Sequence, residues 1–410
     1  MTLSSTLVGD WLRTLATARS GFSSLLAAAE RDDTRGFGHT IREICQQPPT
    51  WAETARHLTE FGAAFRESQD SCERIVLTGS GSSQYAGECA APEIQRELRL
   101  PVVVCSGGEI LLRSCASSGG EATLVVSLAR SGDSPESAAA VESLLATEPH
   151  TRHLIITCNP AGRLARSFAD HPRVRVVSLG DRVNDRSLVM TGSFTNLALS
   201  TGFLGWLDRS NEFVSRADRL CHAGQRLLTE WPDRLGAFVS GDVKRIVFLG
   251  DGCRFGAARE ASLKLLEMTA GKVATMAETY LGLRHGPMSF IDEQTLLVCF
   301  LSSDPLVRCY ERDLILELNA KKLGARKLIA GTDNPGAGLC KGPDLAVTYE
   351  APGPGIDDGG LALLDVMISQ ILGFHRCREQ GLQPDSPSKD GVISRVVGEF
   401  RIHSPVGATK

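Results

Sequence analysis

The sequence lacks the features by which nucleic-acid-binding and membrane-spanning proteins are commonly recognised. It contains no long run of basic residues, and its 410 residues carry a formal net charge of −4, which argues against binding to nucleic acid or to an anionic membrane. Its longest apolar stretches, such as residues 295–301, have the length of a strand rather than of a membrane span. The start of the chain includes Asp10, Arg13 and Arg19 and lacks a continuous apolar segment, so we expect a cytoplasmic protein without a signal peptide.

The spacings typical of metal sites are also missing. The 12 cysteines form no Cys-x-x-Cys pair and the nine histidines no His-x-x-x-His pair, so we expect no bound metal. Several cysteines, such as Cys105, Cys158 and Cys299, lie within apolar runs, where cysteine behaves as a small hydrophobic residue. We therefore expect buried, reduced thiols, as is usual in cytosolic proteins.

The sequence does contain a change of apolar pattern near residue 72. Up to that point apolar residues recur at spacings of three and four, which predicts an N-terminal helical segment over residues 1–72, interrupted at Pro48 and Pro49. Beyond it, short apolar runs alternate with helix-like segments. This alternation is typical of α/β domains in which helices cover both faces of a parallel sheet.

Four of the short apolar runs occur twice in the same order. The matching runs are residues 74–79 and 245–250, 123–127 and 295–299, 153–157 and 327–331, and 174–178 and 345–349. Because the two members of each pair are separated by nearly the same length of chain, we infer a duplicated domain. The sequence thus predicts two doubly wound parallel sheets, in domains of residues 73–215 and 216–380, and a C-terminal tail of residues 381–410. Ligands bind such sheets outside the carboxyl ends of the strands.

Two glycine- and serine-rich loops follow predicted strands of the first copy. The first, at residues 79–83, reads Gly-Ser-Gly-Ser-Ser, and the second, at residues 130–134, reads Arg-Ser-Gly-Asp-Ser. Gln84 stands where a dinucleotide-binding loop needs its third glycine, so we expect no NAD or other cofactor. Serine hydroxyls and free N–H groups at a helix N-terminus form an anion site, although the serines of the second loop could instead only cap a helix. Together the loops predict a phosphate site formed by Gly81, Ser82, Ser83, Ser131, Gly132 and Ser134.

The second copy has no such serine loops and carries charged residues on a predicted helix instead. Lys264 and Glu267 are three residues apart and share a face, and Glu260 lies four residues before Lys264, a spacing at which the two can pair. Such pairs are common on solvated helix faces, where each contributes about 0.3–0.5 kcal/mol. Three neighbouring leucines, however, indicate a helix largely surrounded by apolar residues, where charges are less expected. From the residues alone, a solvated helix face and a functional role both remain open.

The two serine loops and the duplication resemble the sugar isomerase (SIS) fold family, over about residues 40–400. Within it, the chain is similar to the tagatose-6-phosphate ketose/aldose isomerase group, which includes galactosamine-6-phosphate deaminases. Three motifs carry this similarity: residues 43–48 with Trp51, the Leu-Gly-Leu-Arg-His-Gly-Pro of residues 281–287, and the Ser-Arg-Val-Val of residues 394–397. The resemblance implies two tandem SIS domains and sugar-phosphate chemistry.

The resemblance also implies roles for residues of the second copy and the tail. By position, Glu267 matches the base that moves a proton, His285 the group that opens the sugar ring, and Lys264 a residue that assists electrostatically. In related synthases the histidine comes from the partner subunit, so a homodimer with shared active sites is expected. Those synthases also place a tail lysine at the site; here Arg395 matches it, with Lys389 nearby. Arginine does not readily form a Schiff base, so we expect the tail to close the site.

We therefore predict an aldose–ketose isomerase or deaminase acting on a small-molecule sugar phosphate. The expected reaction converts galactosamine-6-phosphate into tagatose-6-phosphate and ammonia through a cis-enediol or enolamine intermediate, since one carboxylate can move a proton between neighbouring carbons. Two alternatives remain: a regulatory SIS protein that binds sugar phosphates without catalysis, and a fructosamine-6-phosphate deglycase. Residues 1–72 hold seven Arg, no Lys and nine acidic residues, which argues against the DNA-binding domain that such regulators commonly carry.

Overall fold

The computed structural model describes residues 3–112, 120–336, 338–349, 356–388 and 390–403. Within these residues the chain forms two five-stranded parallel sheets, each flanked by helices, with a helical segment before the first sheet. The predicted fold class is therefore confirmed. No helix in the described ranges is long and apolar enough to cross a lipid bilayer.

Five helices precede the first sheet. They are α1 (Leu3–Ala16), α2 (Gly21–Arg31), α3 (Gly38–Cys45), α4 (Gln47–Glu60) and α5 (Gly62–Gln69). Pro48 and Pro49 fall in the first turn of α4, where a missing N–H removes no helical hydrogen bond. The two prolines therefore mark the start of a new helix after α3, which is the interruption that the sequence predicts.

The first sheet follows the order β2-β1-β3-β4-β5. Its strands are β1 (Arg74–Gly79), β2 (Val102–Ser106), β3 (Thr123–Ala129), β4 (Thr151–Thr157) and β5 (Val174–Ser178). The helices of this part are α6 (Ser82–Leu98), α7 (Gly107–Leu111), α8 (Pro135–Thr147), α9 (Arg163–Phe168) and α10 (Gly192–Gly202). β1 and β3 are neighbours, but the chain continues from β1 to β2 at one edge of the sheet and from β3 to β4 toward the other edge. The crevice between the carboxyl ends of β1 and β3 is therefore the expected ligand site.

The second sheet repeats this topology in the order β10-β9-β8-β6-β7. Its strands are β6 (Arg245–Leu249), β7 (Ala274–Glu278), β8 (Thr295–Phe300), β9 (Arg326–Gly331) and β10 (Leu345–Thr348). The helices are α11 (Ser210–Glu230), α12 (Pro232–Val239), α13 (Cys253–Met268), α14 (Pro305–Lys321) and α15 (Asp358–Glu379). The four strand pairs predicted from the repeat are all present, and β7 takes the edge position that β2 has in the first sheet.

The two copies meet along α6 and α13, the helices that follow the first strand of each sheet. They approach closely at Gly256, where an added Cβ would lie 2.6 Å from the backbone nitrogen of Cys89. A single apolar cluster continues through both copies and the N-terminal helices. α13 of the second copy therefore lies beside the loops of the first, and at Gly81 an added Cβ would contact Leu263 at 4.0 Å.

The predicted boundary between residues 215 and 216 falls within α11, which packs against α4 of the N-terminal segment. That segment is also joined to the first copy by buried polar contacts. Trp51 Nε1, for example, donates a hydrogen bond to Thr195 Oγ1 of α10 at 2.9 Å. The division of the chain into domains remains a prediction.

The expectation of reduced thiols is wrong at Cys105. This residue is disulfide-bonded, whereas the ten other cysteines of the described ranges are free. An apolar run indicates that a cysteine is buried, and a disulfide-bonded cysteine is as well buried as a free one. The sequence pattern around Cys105 therefore does not distinguish the two states.

Candidate active site

The backbone at the end of β1 brings the start of α6 unusually near to the strand. Gly81 has a positive φ of +56°, a conformation that glycine adopts without strain. At Gly79 an added Cβ would lie 2.7 Å from the Cβ of Ser83, so only glycine permits this approach. As a result Ser82 and Ser83 form the first turn of α6, where backbone N–H groups have no partner within the helix.

The second loop, after β3, is held in shape by its own residues. Gly132 has a φ of +68°, and its carbonyl oxygen accepts a hydrogen bond from the Leu164 N–H at 2.8 Å. Asp133 Oδ1 accepts from the Arg163 N–H at 2.9 Å. In this fully described stretch, Ser134 stands before α8 but its hydroxyl makes no capping hydrogen bond. The alternative that this serine only caps the helix is thus not supported, and its hydroxyl is free to bind a ligand.

Both loops open into one cavity of about 460 Å³ at the carboxyl ends of β1 and β3. α13 of the second copy and the C-terminal tail form its other walls. Nine of the residues selected from the sequence line it: Gly81, Ser82, Ser83, Ser131, Gly132, Ser134, Lys264, Glu267 and Arg395. Residues from three distant parts of the chain are therefore brought together.

The charged residues of α13 form a partly buried chain beside the cavity. Lys264 is fully buried; its Nζ donates to Glu267 and lies 3.5 Å from Glu260 Oε1. Burial acts to lower the pKa of Lys264, but the charges of Glu260 and Glu267 outweigh it and raise the pKa. Glu267 keeps 23% of its side chain exposed at the cavity. The pair therefore offers a carboxylate that can reach a ligand next to a fixed cation.

Glu260 lies at the inner end of this chain and is completely buried. Burial raises the pKa of Glu260 to about 8, against the opposing effect of Lys264. Lys264 thus lies between two carboxyl groups, the buried one of Glu260 and the partly exposed one of Glu267. These contacts are unlike those of a solvated helix face, where each partner would be exposed.

The structure does not bring every predicted residue to the cavity. His285 ends the 3₁₀ turn Gly282–His285 after β7, where it is exposed and lies outside the cavity of its own chain. Lys389 lies outside the described residues. Arg395 does line the cavity, but its guanidinium is held by a neighbouring loop, with Nε 2.8 Å from the carbonyl oxygen of Asp185 and Nη2 2.8 Å from Asn184 Oδ1.

Sequence reasoning did not select several residues that line the cavity. Arg130, Glu136, Leu188 and Met190 belong to it. Arg130 directly precedes Ser131 in the second loop, so its position in that motif indicates that it lies near the cavity. Leu188 and Met190 come from the segment before α10, and no local pattern connects this segment with the two serine loops.

In the second sheet the corresponding crevice is filled by the protein itself. Gly252 has a φ of +55°, so α13 begins as α6 does. Arg254, in its first turn, is fully buried, and its Nε and Nη2 lie 2.7 and 2.6 Å from the two carboxylate oxygens of Asp365. The second loop is occupied too, because Asp358 accepts hydrogen bonds from the Ser302 hydroxyl and the Ser303 N–H.

The chain matches the family model described as SIS domain twice, at residues 70–176 and 242–375. These segments contain the strands of both sheets, apart from the last two residues of β5, and the second also contains α13. The D-galactosamine-6-phosphate deaminase AgaS of Shewanella sp. (strain ANA-3) is 34% identical over 93% of this chain and 96% of its own length. A relative from Streptomyces coelicolor, provisionally named for the same activity, is 37% identical over 89% of this chain and 95% of its own.

A solved structure agrees with these sequence relatives. The tagatose-6-phosphate ketose/aldose isomerase from Escherichia coli superimposes with a TM-score of 0.80 at 29% identity, covering 90% of this chain and 97% of that one. The similarity therefore extends beyond the two segments that the family model matches. With two matched domains and relatives that are 34% and 37% identical over most of the sequence, the chain belongs to the SIS domain family.

Proposed function

We propose that this protein is an isomerase/deaminase of hexosamine 6-phosphates, converting galactosamine-6-phosphate and water into tagatose-6-phosphate and ammonia. The observation that carries the proposal is that Glu267, paired with the buried Lys264, faces the same cavity as the serine loops. A carboxylate and an anion cradle in one cavity fit a substrate with a phosphate at one end and a reacting carbonyl at the other. The names of the relatives AgaS and tagatose-6-phosphate isomerase support this assignment.

The phosphate group is proposed to bind between the first turns of α6 and α8. Backbone N–H groups there point outward from the helices, and the positive ends of both helix dipoles favour an anion. The hydroxyls of Ser82, Ser83, Ser131 and Ser134 supply further donors. Gly81 and Gly132 let the backbone come near to the ligand. Binding energy from the phosphate then holds the distant carbons in position for reaction.

Glu267 is proposed to move one proton between the first two carbons of the sugar. It removes the C2 proton of the open-chain amino aldose, and the electrons of that C–H bond form the C1–C2 double bond of an enolamine. O1 takes a proton from water to become a hydroxyl, and the C2 nitrogen gives a proton back to water when the imine forms. The same carboxyl returns the proton to C1, which leaves an imine at C2. Water adds to this imine, and the C–N bond breaks to give the ketose phosphate and ammonia. The Lys264 ammonium stabilises negative charge on O1 during the first step.

His285 is proposed to act in the cavity of a second copy, as the ring-opening group. It is exposed and follows Leu281, an exposed apolar residue just before the same turn. A homodimer would bring each histidine to the partner's Glu267 and would cover this apolar surface. Arg395 and Lys389, of which Lys389 lies outside the described residues, are proposed to close the site as part of the tail.

Because phosphorylated sugars are intracellular metabolites, we also propose a cytoplasmic location.

The proposed domain division follows the sequence repeat. It comprises an N-terminal helical segment (1–72), the phosphate-binding domain (73–215), the domain of the catalytic helix (216–380) and the tail (381–410). The two domains then have different tasks, since one holds the phosphate and the other carries the acid–base residues.

Ammonia release from galactosamine-6-phosphate, with glucosamine-6-phosphate alongside, tests the proposal. We expect activity from the wild type, loss of at least about 100-fold in Glu267→Gln because the base is removed, and wild-type activity in Glu142→Gln, an exposed glutamate on α8. If both sugars bind and neither reacts, the chain is a sensor and Glu267 is not a catalyst. Release of an amine from a fructosamine 6-phosphate alone would instead identify a deglycase.

A further inference from the structure

The motif at residues 43–48 lies outside the cavity, and the proposed chemistry does not use it. Glu43, on α3, is nevertheless buried and makes specific contacts. One of its carboxyl oxygens accepts hydrogen bonds from the N–H groups of Arg186 and Ser187 at 2.5 and 3.3 Å, and the other contacts the Ser187 hydroxyl. Glu43 thus holds the segment of residues 184–190, which we call the anchor loop.

The anchor loop contacts the cavity and the tail at the same time. Leu188 and Met190 form part of the cavity wall. On the other side, the Asp185 carbonyl and the Asn184 side chain accept hydrogen bonds from the guanidinium of Arg395. Arg395, the tail residue that matches the synthase lysine by position, is therefore held by this loop.

Arg130 joins the anchor loop and the tail to the phosphate-binding loop. It directly precedes Ser131, and its buried guanidinium donates to the carbonyl oxygens of Leu188 at 3.0 Å and Ser187 at 3.4 Å. Its other nitrogen, Nη2, donates to the carbonyl oxygen of Arg395. One side chain thus connects all three segments.

α3 fixes the start of the tail as well as the anchor loop. The carboxylate of Asp385 accepts hydrogen bonds from the Thr40 N–H and hydroxyl, each at 2.7 Å. The carbonyl oxygen of Asp385 accepts from the Leu188 N–H at 3.0 Å. Glu43 and Thr40, one turn apart on the same helix, therefore hold two segments that also contact each other.

The surroundings of Glu43 disfavour the ionised form of its carboxyl group. Burial, followed by the neighbouring Asp185 carboxylate, raises the pKa of Glu43 to about 8. Asp185 in turn interacts with Arg130, whose electrostatic contacts also include Glu43 and Arg395. Glutamine has the same shape as glutamic acid, and it can present its carbonyl oxygen to the N–H groups of Arg186 and Ser187 and its amide group to the Ser187 hydroxyl.

We propose that Glu43 is a positioning residue that fixes the anchor loop, so that the phosphate-binding loop and the tail are held together over a bound sugar phosphate. This inference rests on the proposed function and assigns a task to the N-terminal helices. It makes no claim of contact between Glu43 and substrate. The effect passes through the anchor loop to Arg130 and Arg395.

Three measurements test this role, and two of them do not require activity. In Glu43→Ala we expect KM for the amino sugar phosphate to rise by about tenfold or more with a smaller change in kcat, because a buried hydrogen-bonding group is lost. Inorganic phosphate, measured by calorimetry, should bind correspondingly more weakly. Trypsin should cleave after Arg395 faster than in the wild type, because the guanidinium is no longer held. Glu43→Gln should restore all three values.

Glu93→Gln serves as the matched control, because Glu93 is an equally buried acid that contacts Trp206 and Arg216 instead of the anchor loop. It should lower stability without changing KM or tryptic cleavage after Arg395. If Glu43→Ala does not fold, Ser187→Ala removes one contact of Glu43 and should show the same effects in weaker form. A folded Glu43→Ala or Ser187→Ala protein with wild-type phosphate binding and cleavage overturns the proposal, as does a Glu43→Gln protein impaired like Glu43→Ala. Because phosphate binding and cleavage are independent of turnover, absence of deaminase activity alone would refute only the proposed function.

Discussion

Arg254 takes the position in α13 that Ser83 has in α6, and its guanidinium fills the crevice that the serine leaves open. The two helices begin with the same glycine conformation, so the difference lies in the side chain. The two copies thus share a backbone conformation, but in the second copy an internal ion pair occupies the crevice. This ion pair joins the start of α13 to α15 and so fixes the helix that carries Lys264 and Glu267.

One sugar phosphate is therefore expected per chain. Calorimetric titration with inorganic phosphate should give a stoichiometry of one phosphate per chain. In the second copy, Arg254 fills the crevice and Asp358 accepts a hydrogen bond from the loop N–H that a phosphate would otherwise need. Arg254→Met should lower the free energy of unfolding by about 3–5 kcal/mol, since it leaves Asp365 buried without its partner. The double variant Arg254→Met/Asp365→Leu should recover much of this loss. A stoichiometry of two would contradict the assignment.

The conformation of Gly132 should matter for binding as well as for stability. Gly132→Ala places a Cβ at 3.3 Å from the Leu164 Cβ and forces alanine into a left-handed conformation, at a cost of about 1–2 kcal/mol. We expect this strain to displace the loop and weaken phosphate binding by about tenfold. Gly241 also has a positive φ, of +91°, and an added Cβ there would meet no atom within 4 Å. Gly241→Ala should therefore lower the free energy of unfolding in urea by a similar amount but keep wild-type affinity for phosphate. Equal affinities for the two variants would contradict a role for the loop.

The serines of the second loop should contribute mainly to binding. Ser131→Ala and Ser134→Ala each remove a hydroxyl from the phosphate cradle, at about 1–1.5 kcal/mol per hydrogen bond, so KM should rise by about five- to tenfold with kcat nearly unchanged. Steady-state kinetics on the amino sugar phosphate measures this. Ser215→Ala, on the exposed face of α11, is the control and should have no effect. If kcat falls and KM stays constant, these hydroxyls act in the chemical step instead.

The sequence predicts most of the fold because its buried strands are short apolar runs that occur twice. β7 is missed because it is an edge strand of Ala-Thr-Met-Ala-Glu, whose partly exposed residues form no apolar run. The serine loops could be selected as a candidate phosphate site because anion sites at helix N-termini use local sequence, and the structure shows that both loops line one cavity. The contacts of Glu43 and Arg395 with the anchor loop join residues that are far apart in the chain, and no spacing in the sequence reveals them.

Glu311 predicts a measurable pH dependence of stability. Burial raises its pKa to about 8 from an ordinary value of 4.5, so the folded protein holds a proton that the unfolded chain has released. Its stabilising contribution is complete below about pH 4.5 and is lost as the pH rises through about 8. The free energy of unfolding, measured in urea, should fall between pH 5 and pH 9. In Glu311→Gln this fall should be smaller by about 1–3 kcal/mol. An unchanged slope in Glu311→Gln would show that Glu311 is ionised in the folded state.

The exposed position of His285 leads to a test of shared active sites. If each site combines Glu267 of one chain with the histidine of another, Glu267→Gln and His285→Ala should each be nearly inactive alone. After subunits are mixed and exchanged, half of the dimers carry one variant of each kind. In such a dimer one site contains both substitutions and the other contains neither, so about a quarter of wild-type activity should return. Ammonia release before and after exchange measures this, with wild-type protein taken through the same exchange as the control. If activity does not return although mixed dimers form, both residues serve one chain, and His285 must reach its own cavity by a movement of the turn.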